Sequence, residues 1–568
     1  MKSPSFGLLL VVGAMALVPE ISHGVGVAAA SPSSKIVRTT QGAVSGVSLP
    51  DGITVFRGIR YAQAPTGNLR WKPPVPPLAW KGVYAATKFG PACIQPMSPP
   101  DSKDVYADSL PKLSEDCLFL NVWKPAHAAN APVMVWIHGG ALRGMSGSEP
   151  IYNGSELARK GVIVVTLNYR LGIFGYLALP QLTAESPHHS SGNYGLLDQI
   201  AALRWVHDNI ARFGGNPKNV TLFGESAGAL STIELMTSPL ARGLFQKAIS
   251  QSGYMVSNME LTRPSFGKPS AEAFGEYFVK KVGATNLAQL RAMDAKTLMD
   301  KSYAAGYDPQ ATIDGWVLPQ QIVDCFDRGQ QAHVPVIVGF NAGEVRSLLF
   351  FLPPLPKTHA EYVAMVRRIY GDLADQYLKL YPGTDIKESA INAATGAFYG
   401  WTAVRMARAQ TRIGQPAYLY YFDHHYPAEV AEHLEAFHGS ELPYEFGSIG
   451  DKNRLPRNWP MPPNDAQERA LSEAIMNYFT SFARTGHPVA RGEPAWKPYG
   501  GDRAYMYFRN KPHASENLLP GMFALQEAVV ARRRAAGTQN WYINIGLASP
   551  VVPPQHTKTH LTSGSKRR

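Results

Sequence analysis

The segment Gly224-Glu225-Ser226-Ala227-Gly228 places a serine between two glycines, a spacing that suits nucleophilic catalysis. A β-rich stretch, residues 219–223, precedes it, and helix-forming residues follow it. A serine on a tight strand-to-helix turn needs small residues two positions before and after it, and the two glycines meet that need. The amino terminus of the following helix favours the negative charge that develops when a carbonyl carbon is attacked. We therefore predict that Ser226 is the nucleophile of an acyl-transfer reaction.

A second glycine-rich turn lies upstream, where a predicted strand at residues 133–137 leads into His138-Gly139-Gly140-Ala141. Glycines directly after a strand let main-chain N–H groups turn towards an oxyanion that a bulkier chain would obstruct. An ordinary glycine turn is the competing interpretation, but it loses weight because a His-Gly-Gly turn and a Gly-x-Ser-x-Gly turn occur together in one chain. We predict that the amides of Gly140, Ala141 and Ala227 are the oxyanion donors.

A serine nucleophile also needs an imidazole that takes its proton and a carboxylate that orients the imidazole. The chain has 16 histidines, and the pattern of residues alone does not choose among them. Adjacent pairs, such as His188 with His189 and His424 with His425, have the ordinary interpretation of histidines in loops or partly buried positions. The base and the acid of the reaction therefore stay open at this point.

The elements that must position these residues alternate between strands and helices. Short apolar runs typical of strands buried on both faces occur at residues 133–137, 162–167, 220–223, 334–338 and 417–422. Amphipathic helices are predicted between them, most clearly at residues 196–213 and 467–484. This alternation indicates a mostly parallel sheet with right-handed crossovers, which gathers chemistry at the carboxyl ends of its strands. Near the N-terminus, Pro50-Asp51-Gly52 between residues 44–49 and 53–59 predicts a β-hairpin.

Several longer stretches extend these motifs. They are Phe56-Arg-Gly-Ile-Arg-Tyr-Ala, Ser114-Glu-Asp-Cys-Leu-Phe-Leu-Asn-Val-Trp123, Gly192-Asn-Tyr-Gly-Leu-Leu-Asp-Gln, Phe213-Gly-Gly-Asn-Pro and the segment from Asn219 through Gly228. Together they resemble the type-B carboxylesterase family, the group that includes cholinesterases and bacterial para-nitrobenzyl esterases. The resemblance covers residues 56–500 and implies a serine carboxylesterase. It also implies an α/β-hydrolase fold: a large, mostly parallel central sheet flanked by helices, with a small N-terminal antiparallel hairpin region.

The resemblance supplies the remaining members of a catalytic triad. The stretch that begins His438-Gly-Ser-Glu-Leu-Pro is similar to the catalytic histidine loop of the family, which makes His438 the base. The stretch that ends Phe-Asn-Ala-Gly-Glu344 is similar to the segment that carries the acid, which makes Glu344 the carboxylate. Glu225 is expected to support the triad, and Ser252 corresponds to a hydroxyl that hydrogen-bonds the triad carboxylate.

The same comparison assigns the cysteines and one ion pair. Spacing makes Cys93–Cys117 a reasonable guess for a disulfide, and the resemblance turns the guess into a prediction; the third cysteine, Cys325, is expected to be a buried thiol. Glu115 and Arg170 are similar to a paired structural salt bridge. Between Cys93 and Cys117 the one aromatic residue is Tyr106, and the absence of a tryptophan there argues against a specialist for choline esters.

Composition indicates the class of protein, and the two termini indicate where the folded domain begins and ends. The chain has 568 residues, a formal net charge of +12 and 45% hydrophobic residues, typical of a globular enzyme. Lys2, a short apolar run and Ala28-Ala29-Ala30 predict a signal peptide at residues 1–30, with a retained membrane anchor as the alternative. We expect a secreted or periplasmic protein with one catalytic domain, residues 31–547, and a disordered basic tail, residues 548–568.

Other functions share these residues. A lipase, an amidase or carbamate hydrolase, and a hydrolase of large polyester or toxin esters would use the same triad. A catalytically inactive adhesion relative is the alternative of another class, and capture of polyanions by the basic tail is a further idea. The predicted ester hydrolysis by a serine nucleophile implies no metal and no organic cofactor. The expected partner is a small-molecule or lipid-like ester, without nucleic-acid binding or stable membrane insertion.

Overall fold

The structure is a computed structural model that describes residues 35–107, 110, 112–537 and 544–555. The predicted signal peptide, residues 1–30, lies outside the described residues, as does the tail from residue 556 onwards. No described helix is both long enough and apolar enough to cross a bilayer.

The centre of the molecule is an eleven-stranded sheet in the described part of the chain. Its strands are β1 Val47–Ser48, β2 Thr54–Arg60, β3 Phe119–Lys124, β4 Ala131–Ile137, β5 Ile163–Leu167, β6 Gly215–Glu225, β7 Lys247–Gln251, β8 Val336–Asn341, β9 Ala417–Phe422, β10 Ala504–Phe508 and β11 Pro512–Glu516. The spatial order is β1-β2-β3-β5-β4-β6-β7-β8-β9-β10-β11. In this spatial order, the neighbouring strands from β5 through β4 and on to β10 pair in parallel. The pairs β1–β2, β2–β3 and β3–β5 at one edge, and β10–β11 at the other, are antiparallel.

The apolar runs form central strands because both faces of the sheet are covered. In β4, Val133, Val135 and Ile137 pack into one hydrophobic cluster, whereas Met134 and Trp136 pack into a second cluster. Alternate side chains of a strand point to opposite faces, so the two clusters are the cores on the two sides of the sheet. The predicted hairpin is confirmed, since β1 and β2 pair in antiparallel register. The mostly parallel α/β-hydrolase architecture is confirmed as well.

Helices cover the two faces of the sheet. The described α-helices are α1 Ser155–Arg159, α2 Gly172–Tyr176, α3 Pro180–Glu185, α4 Tyr194–Asn209, α5 Ala227–Thr237, α6 Ala271–Val282, α7 Leu287–Ala292, α8 Ala295–Ala304, α9 Ile322–Asp327, α10 His359–Tyr370, α11 Ala374–Leu380, α12 Ile386–Thr395, α13 Trp401–Arg412, α14 Pro427–Ala431, α15 Leu442–Glu445, α16 Ala466–Thr485 and α17 Met522–Ala536. Local signals set their ends: Asp465 caps α16 by accepting from the amide of Glu468, and Gly486 with φ +81° terminates it.

The predicted boundary of the disordered tail, residue 548, lies before the end of the packed chain. Val552 is buried among residues of α10 and α17, and its amide donates to the carbonyl of Ile369 at 2.7 Å. The prediction of disorder from residue 548 is therefore wrong for residues 548–552. The error arose because the two valines and two prolines of residues 551–554 were grouped with the polar residues that follow them.

Candidate active site

Ser226 lies on the turn that joins β6 to α5, at the carboxyl end of a central parallel strand. Its backbone has φ +57° and ψ −122°, a conformation that is uncommon for any residue other than glycine. The flanking glycines are required by contact: a Cβ on Gly228 would lie 2.0 Å from the carbonyl oxygen of Ile137, and one on Gly224 would lie 2.7 Å from the same oxygen. The strand-turn-helix context predicted from the sequence is therefore present.

The predicted oxyanion donors lie on two elements that meet at Ser226. Gly140 and Ala141 follow β4 with positive φ values of +89° and +52°, and Ala227 is the first residue of α5. Within the described chain, the amides of these three residues donate to no other protein group. A Cβ on Gly139 would lie 3.1 Å from the Cβ of Ser226, which shows how closely the two turns approach. Amides in this arrangement can stabilise an oxyanion.

Glu344 and His438 are joined directly. Nδ1 of His438 lies 2.5 Å from Oε2 of Glu344, and both side chains are buried. The backbone holds the two loops together, because Gly343 and Phe437 form a β-bridge and the amide of Gly343 donates to the carbonyl of Ala436 at 2.8 Å. Oε1 of Glu344 accepts from the amide of Asn341 at 2.8 Å. The carboxylate is thus fixed on one side and orients the imidazole on the other.

Further buried carboxyl groups surround the imidazole. Glu225 Oε1 lies 3.1 Å from His438 Nε2, while Glu441 and Glu445 accept from the side-chain amides of Asn341 and Gln251. Burial raises the pKa of Glu225, of Glu441 and of Glu445. Burial by itself would lower the pKa of His438, but the carboxylates of Glu225 and Glu344 outweigh it and raise that pKa to about 9.

Ser226 and His438 lie on the same cavity, but no hydrogen bond joins Ser226 Oγ to His438 Nε2 in this structure. Nε2 faces Glu225 instead. Hydrogen bonds between a nucleophile and its base are often long in the free enzyme and tighten when substrate binds. The structure therefore brings His438 and Glu344 into contact and leaves Ser226 within the same site, without a completed hydrogen-bonded chain.

The cavity has a volume of about 530 Å³ and extends from Ser226 to the surface. Its inner wall is aromatic, with Tyr254 stacked on Phe398 at a centroid distance of 4.6 Å. Tyr399 lies 5.2 Å from the His438 ring. At the mouth, the Phe350 side chain is 76% exposed. Such a concave, largely apolar site with a few converging polar groups suits a small organic molecule.

The carboxylesterase family model matches residues 33–523, well over half of the chain. The chain belongs to the carboxylesterase family. It is a carboxylic ester hydrolase, and the resemblance drawn from its motifs is confirmed.

Relatives and solved structures agree with the family. A fumonisin B1 esterase of Sphingopyxis macrogoltabida is 36% identical over 509 residues, which cover 87% of this chain and 90% of the relative. A para-nitrobenzyl esterase of Bacillus subtilis (strain 168) is 37% identical over 464 residues, which cover 80% and 90%. A PNB esterase structure superposes with a TM-score of 0.73 at 33% identity and covers 87% of this chain and 99% of that one.

The disulfide predicted for this carboxylesterase is present. Cys93 and Cys117 are bonded, with their Cα atoms 5.0 Å apart. Cys325 is a buried free thiol, as expected, and burial raises its pKa to about 11.

The ion pair predicted between Glu115 and Arg170 is wrong. Glu115 binds Arg70, with Nε–Oε1 at 2.7 Å, whereas Arg170 binds Asp198 through two hydrogen bonds of 2.7 Å. Arg70, Glu115 and Arg170 line a common small pocket. Each carboxylate therefore has its own guanidinium, and no exchange between the pairs is needed to satisfy the buried charges.

The role predicted for Ser252 is also not observed. Its side chain is fully buried, but its hydroxyl has no hydrogen-bond partner among the described residues, and the Glu344 carboxylate is bound by Asn341 and His438 instead. Sequence reasoning missed Glu441 as a neighbour of the base. Its place three residues after His438, in the same loop, was the available signal. Among the described residues, no group of three or more His, Cys, Asp or Glu side chains is arranged to hold a metal ion.

Proposed function

We propose that the chain is a secreted serine carboxylesterase in which Ser226, His438 and Glu344 form the catalytic triad. Ser226 Oγ attacks the ester carbonyl and gives its proton to His438, which passes it to the departing alcohol. His438 then takes a proton from water as the water oxygen attacks the acyl carbon; the bond to Ser226 Oγ breaks, His438 returns the proton to Oγ, and the acid is released. The amides of Gly140, Ala141 and Ala227 stabilise the oxyanion of both steps.

The observation that carries this proposal is the 2.5 Å contact between His438 Nδ1 and Glu344 Oε2 at the wall of the cavity that contains Ser226. A proton on Nδ1 held by a carboxylate leaves Nε2 as the basic nitrogen. In the reaction Nε2, which faces Glu225 in the free enzyme, turns to Ser226 on the same cavity.

Export is supported by two features of the chain. The N-terminal pattern of a positive charge, a short apolar run and small residues is typical of a signal peptide, although it lies outside the described residues. The Cys93–Cys117 disulfide suits an oxidising compartment. We therefore propose that the mature enzyme acts in the periplasm or outside the cell, and N-terminal sequencing of the exported protein would test this.

Replacement of the nucleophile tests the mechanism. Ser226→Ala should lower kcat/KM for a p-nitrophenyl ester by about 10³-fold or more and abolish labelling by a fluorophosphonate probe. Ser515→Ala is the control, because Ser515 lies on the edge strand β11 and outside the cavity, and it should behave like the parent enzyme. Ester cleavage at the parent rate by Ser226→Ala would contradict the proposal.

A second candidate is the hydrolysis of a large natural or xenobiotic ester. The 36% identity to a fumonisin B1 esterase and the cavity of about 530 Å³ favour it over a narrow short-chain specialist. A panel of p-nitrophenyl esters of increasing chain length, an emulsified triglyceride, a carbamate and fumonisin B1 would separate the candidates. Preference for the emulsion would identify a lipase instead.

A further inference from the structure

The hydroxyl group of Tyr106 joins the disulfide-closed loop, residues 93–117, to both loops that carry the proposed base and acid. Its oxygen lies 2.7 Å from the main-chain carbonyl oxygen of His438 and 2.7 Å from Oγ of Ser347. The phenol has one proton, which goes to the carbonyl, so Ser347 donates to the phenol oxygen. Ser347 ends the 3₁₀ turn Glu344–Ser347, whose first residue is the proposed acid.

The Tyr106 ring is held by other aromatic rings and by its own loop. It packs against Phe437, His438 and Trp459 at centroid distances of 6.3, 6.5 and 6.2 Å. Its amide donates to Asp104 Oδ1 at 3.0 Å. Asn458 clamps the same loop by donating to the carbonyls of Ser102 and Asp104, both at 2.8 Å. Burial raises the pKa of Tyr106 well above its usual value, so the hydroxyl remains a donor at any working pH.

The contact matters because it fixes the backbone from which the base projects. Glu344 holds the imidazole ring through Nδ1, while Tyr106 holds the His438 carbonyl. Among the described residues, no other group donates to that carbonyl. If the backbone shifts while Nδ1 stays bound, the ring tilts, and the position from which Nε2 must reach Ser226 changes. A displacement of about 1 Å at a reacting atom can cost about 10²-fold in rate.

We propose that Tyr106 is a positioning residue for the general base and that the Cys93–Cys117 disulfide supports catalysis by holding Tyr106 in place. The inference rests on the proposed role of His438. It gives the disulfide-closed loop a part in the chemical step, in addition to its part in stability.

Removal of the hydroxyl tests the first half of the inference. Tyr106→Phe keeps the ring packing and should lower kcat for a soluble p-nitrophenyl ester by about tenfold or more, with KM changed by less than about twofold. Labelling by a fluorophosphonate should slow by the same factor, because it needs the same activated serine. Ser347→Ala, which removes the donor to the phenol oxygen, should cause a smaller loss of the same kind.

Tyr362→Phe is the matched control. Tyr362 also donates from a buried hydroxyl to a main-chain carbonyl, that of Tyr381 at 2.8 Å, but it lies outside the cavity. It should match the parent kcat. An unchanged kcat and labelling rate in Tyr106→Phe would overturn the inference, as would equal losses in the two tyrosine variants. His438→Ala tests the proposed base separately: it should lose both ester cleavage and labelling, and if it keeps them the role of His438 fails, whatever Tyr106→Phe does.

A double-mutant comparison tests whether the disulfide affects catalysis through Tyr106. Replacement of both Cys93 and Cys117 by Ala should lower kcat in the parent enzyme but have little further effect in Tyr106→Phe, because the link through which the loop acts is already lost. Circular dichroism verifies that each variant is folded, and mild reduction of the intact enzyme provides the same comparison if the double variant does not fold. Fully multiplicative losses of kcat would show that the disulfide acts independently of Tyr106.

Discussion

His438 is a base surrounded by acids. Four carboxyl groups, those of Glu225, Glu344, Glu441 and Glu445, are buried around the two loops that position it. The pKa of about 9 means that the imidazole is protonated over much of the neutral range. A protonated imidazole cannot take the proton of Ser226, so the ionisation of His438 sets the pH range of the reaction.

The pH profile should show this directly. We expect kcat/KM to rise with pH, about tenfold per unit, until it levels off near pH 9, because the neutral imidazole is the active form. Glu225→Gln removes the carboxylate that raises the pKa of His438 most, so its profile should level off at lower pH. Stopped-flow or initial-rate measurements from pH 5 to 10 would check this. Glu234→Gln, a buried carboxyl group that does not act on His438, is the control; identical profiles for Glu225→Gln and the parent would contradict the assignment.

Some of these residues could be predicted from the sequence because their signal is local. Ser226, Gly140 and Ala141 belong to short motifs whose glycines are demanded by a turn. Glu344 and His438 are 94 residues apart, and the folded chain alone brings them together, so their roles came from family resemblance. The sequence shows which charged and polar side chains are present but not which of them come into contact. For this reason the partner of Glu115 and the surroundings of Ser252 were predicted incorrectly.

At the scale of elements, the pair Arg170–Asp198 ties the chain just after β5 to helix α4. The carboxylate accepts two side-chain hydrogen bonds and the main-chain amide of Arg170 at 3.0 Å, and both side chains are almost inaccessible to solvent. Asp198→Ala should therefore lower the free energy of unfolding by about 3–5 kcal/mol, because it leaves a buried guanidinium without its partner. Denaturant unfolding followed by fluorescence measures this.

A matched comparison exists at the surface. Arg60 and Asp116 form a similar two-point pair, but their side chains are 32% and 39% exposed. Asp116→Ala should cost at most about 1 kcal/mol because water solvates the remaining charge. Equal losses in the Asp198 and Asp116 variants would show that burial does not determine the strength of these pairs.

The strands of the central sheet were the most predictable elements, since a strand covered on both faces needs a largely apolar run, as in β4 and β5. The helices α6 to α8 and the turns after Glu344 were not predictable in detail. Tyr303 at the end of α8, Asp308 after it, and Phe350 in the turns after Glu344 line the cavity. The sequences of these segments follow the demands of a binding surface and not those of a core, so periodicity carries little information there.

At the scale of the whole molecule, buried carboxyl groups make stability depend on pH. Burial raises the pKa of Glu234 from 4.5 to about 8, and its side chain is fully enclosed on helix α5. Between pH 4.5 and pH 8 the Glu234 carboxyl group is ionised in the unfolded chain but still protonated in the folded chain. The stabilising contribution is thus complete below pH 4.5 and is lost as the pH rises towards 8, by up to about 1.4 kcal/mol per unit.

Glu234→Gln should remove this contribution. Asn258 donates to Glu234 Oε1, and a glutamine carbonyl can accept the same hydrogen bond. We expect the variant to gain stability relative to the parent as the pH is raised from 5 to 8, as measured by urea unfolding at several pH values. A constant difference across that range would mean that Glu234 is already ionised in the native protein.

The wide spacing of Ser226, Glu344 and His438 along the chain ties activity to the completed sheet. The three residues follow strands β6, β8 and β9, and helix α14 lies between β9 and the base. Contacts between such distant segments are formed late when a chain refolds, since long loops must first be closed. Recovered turnover should consequently lag behind recovered helix content, which makes ester cleavage a stricter indicator of a native population than any spectroscopic signal from the backbone.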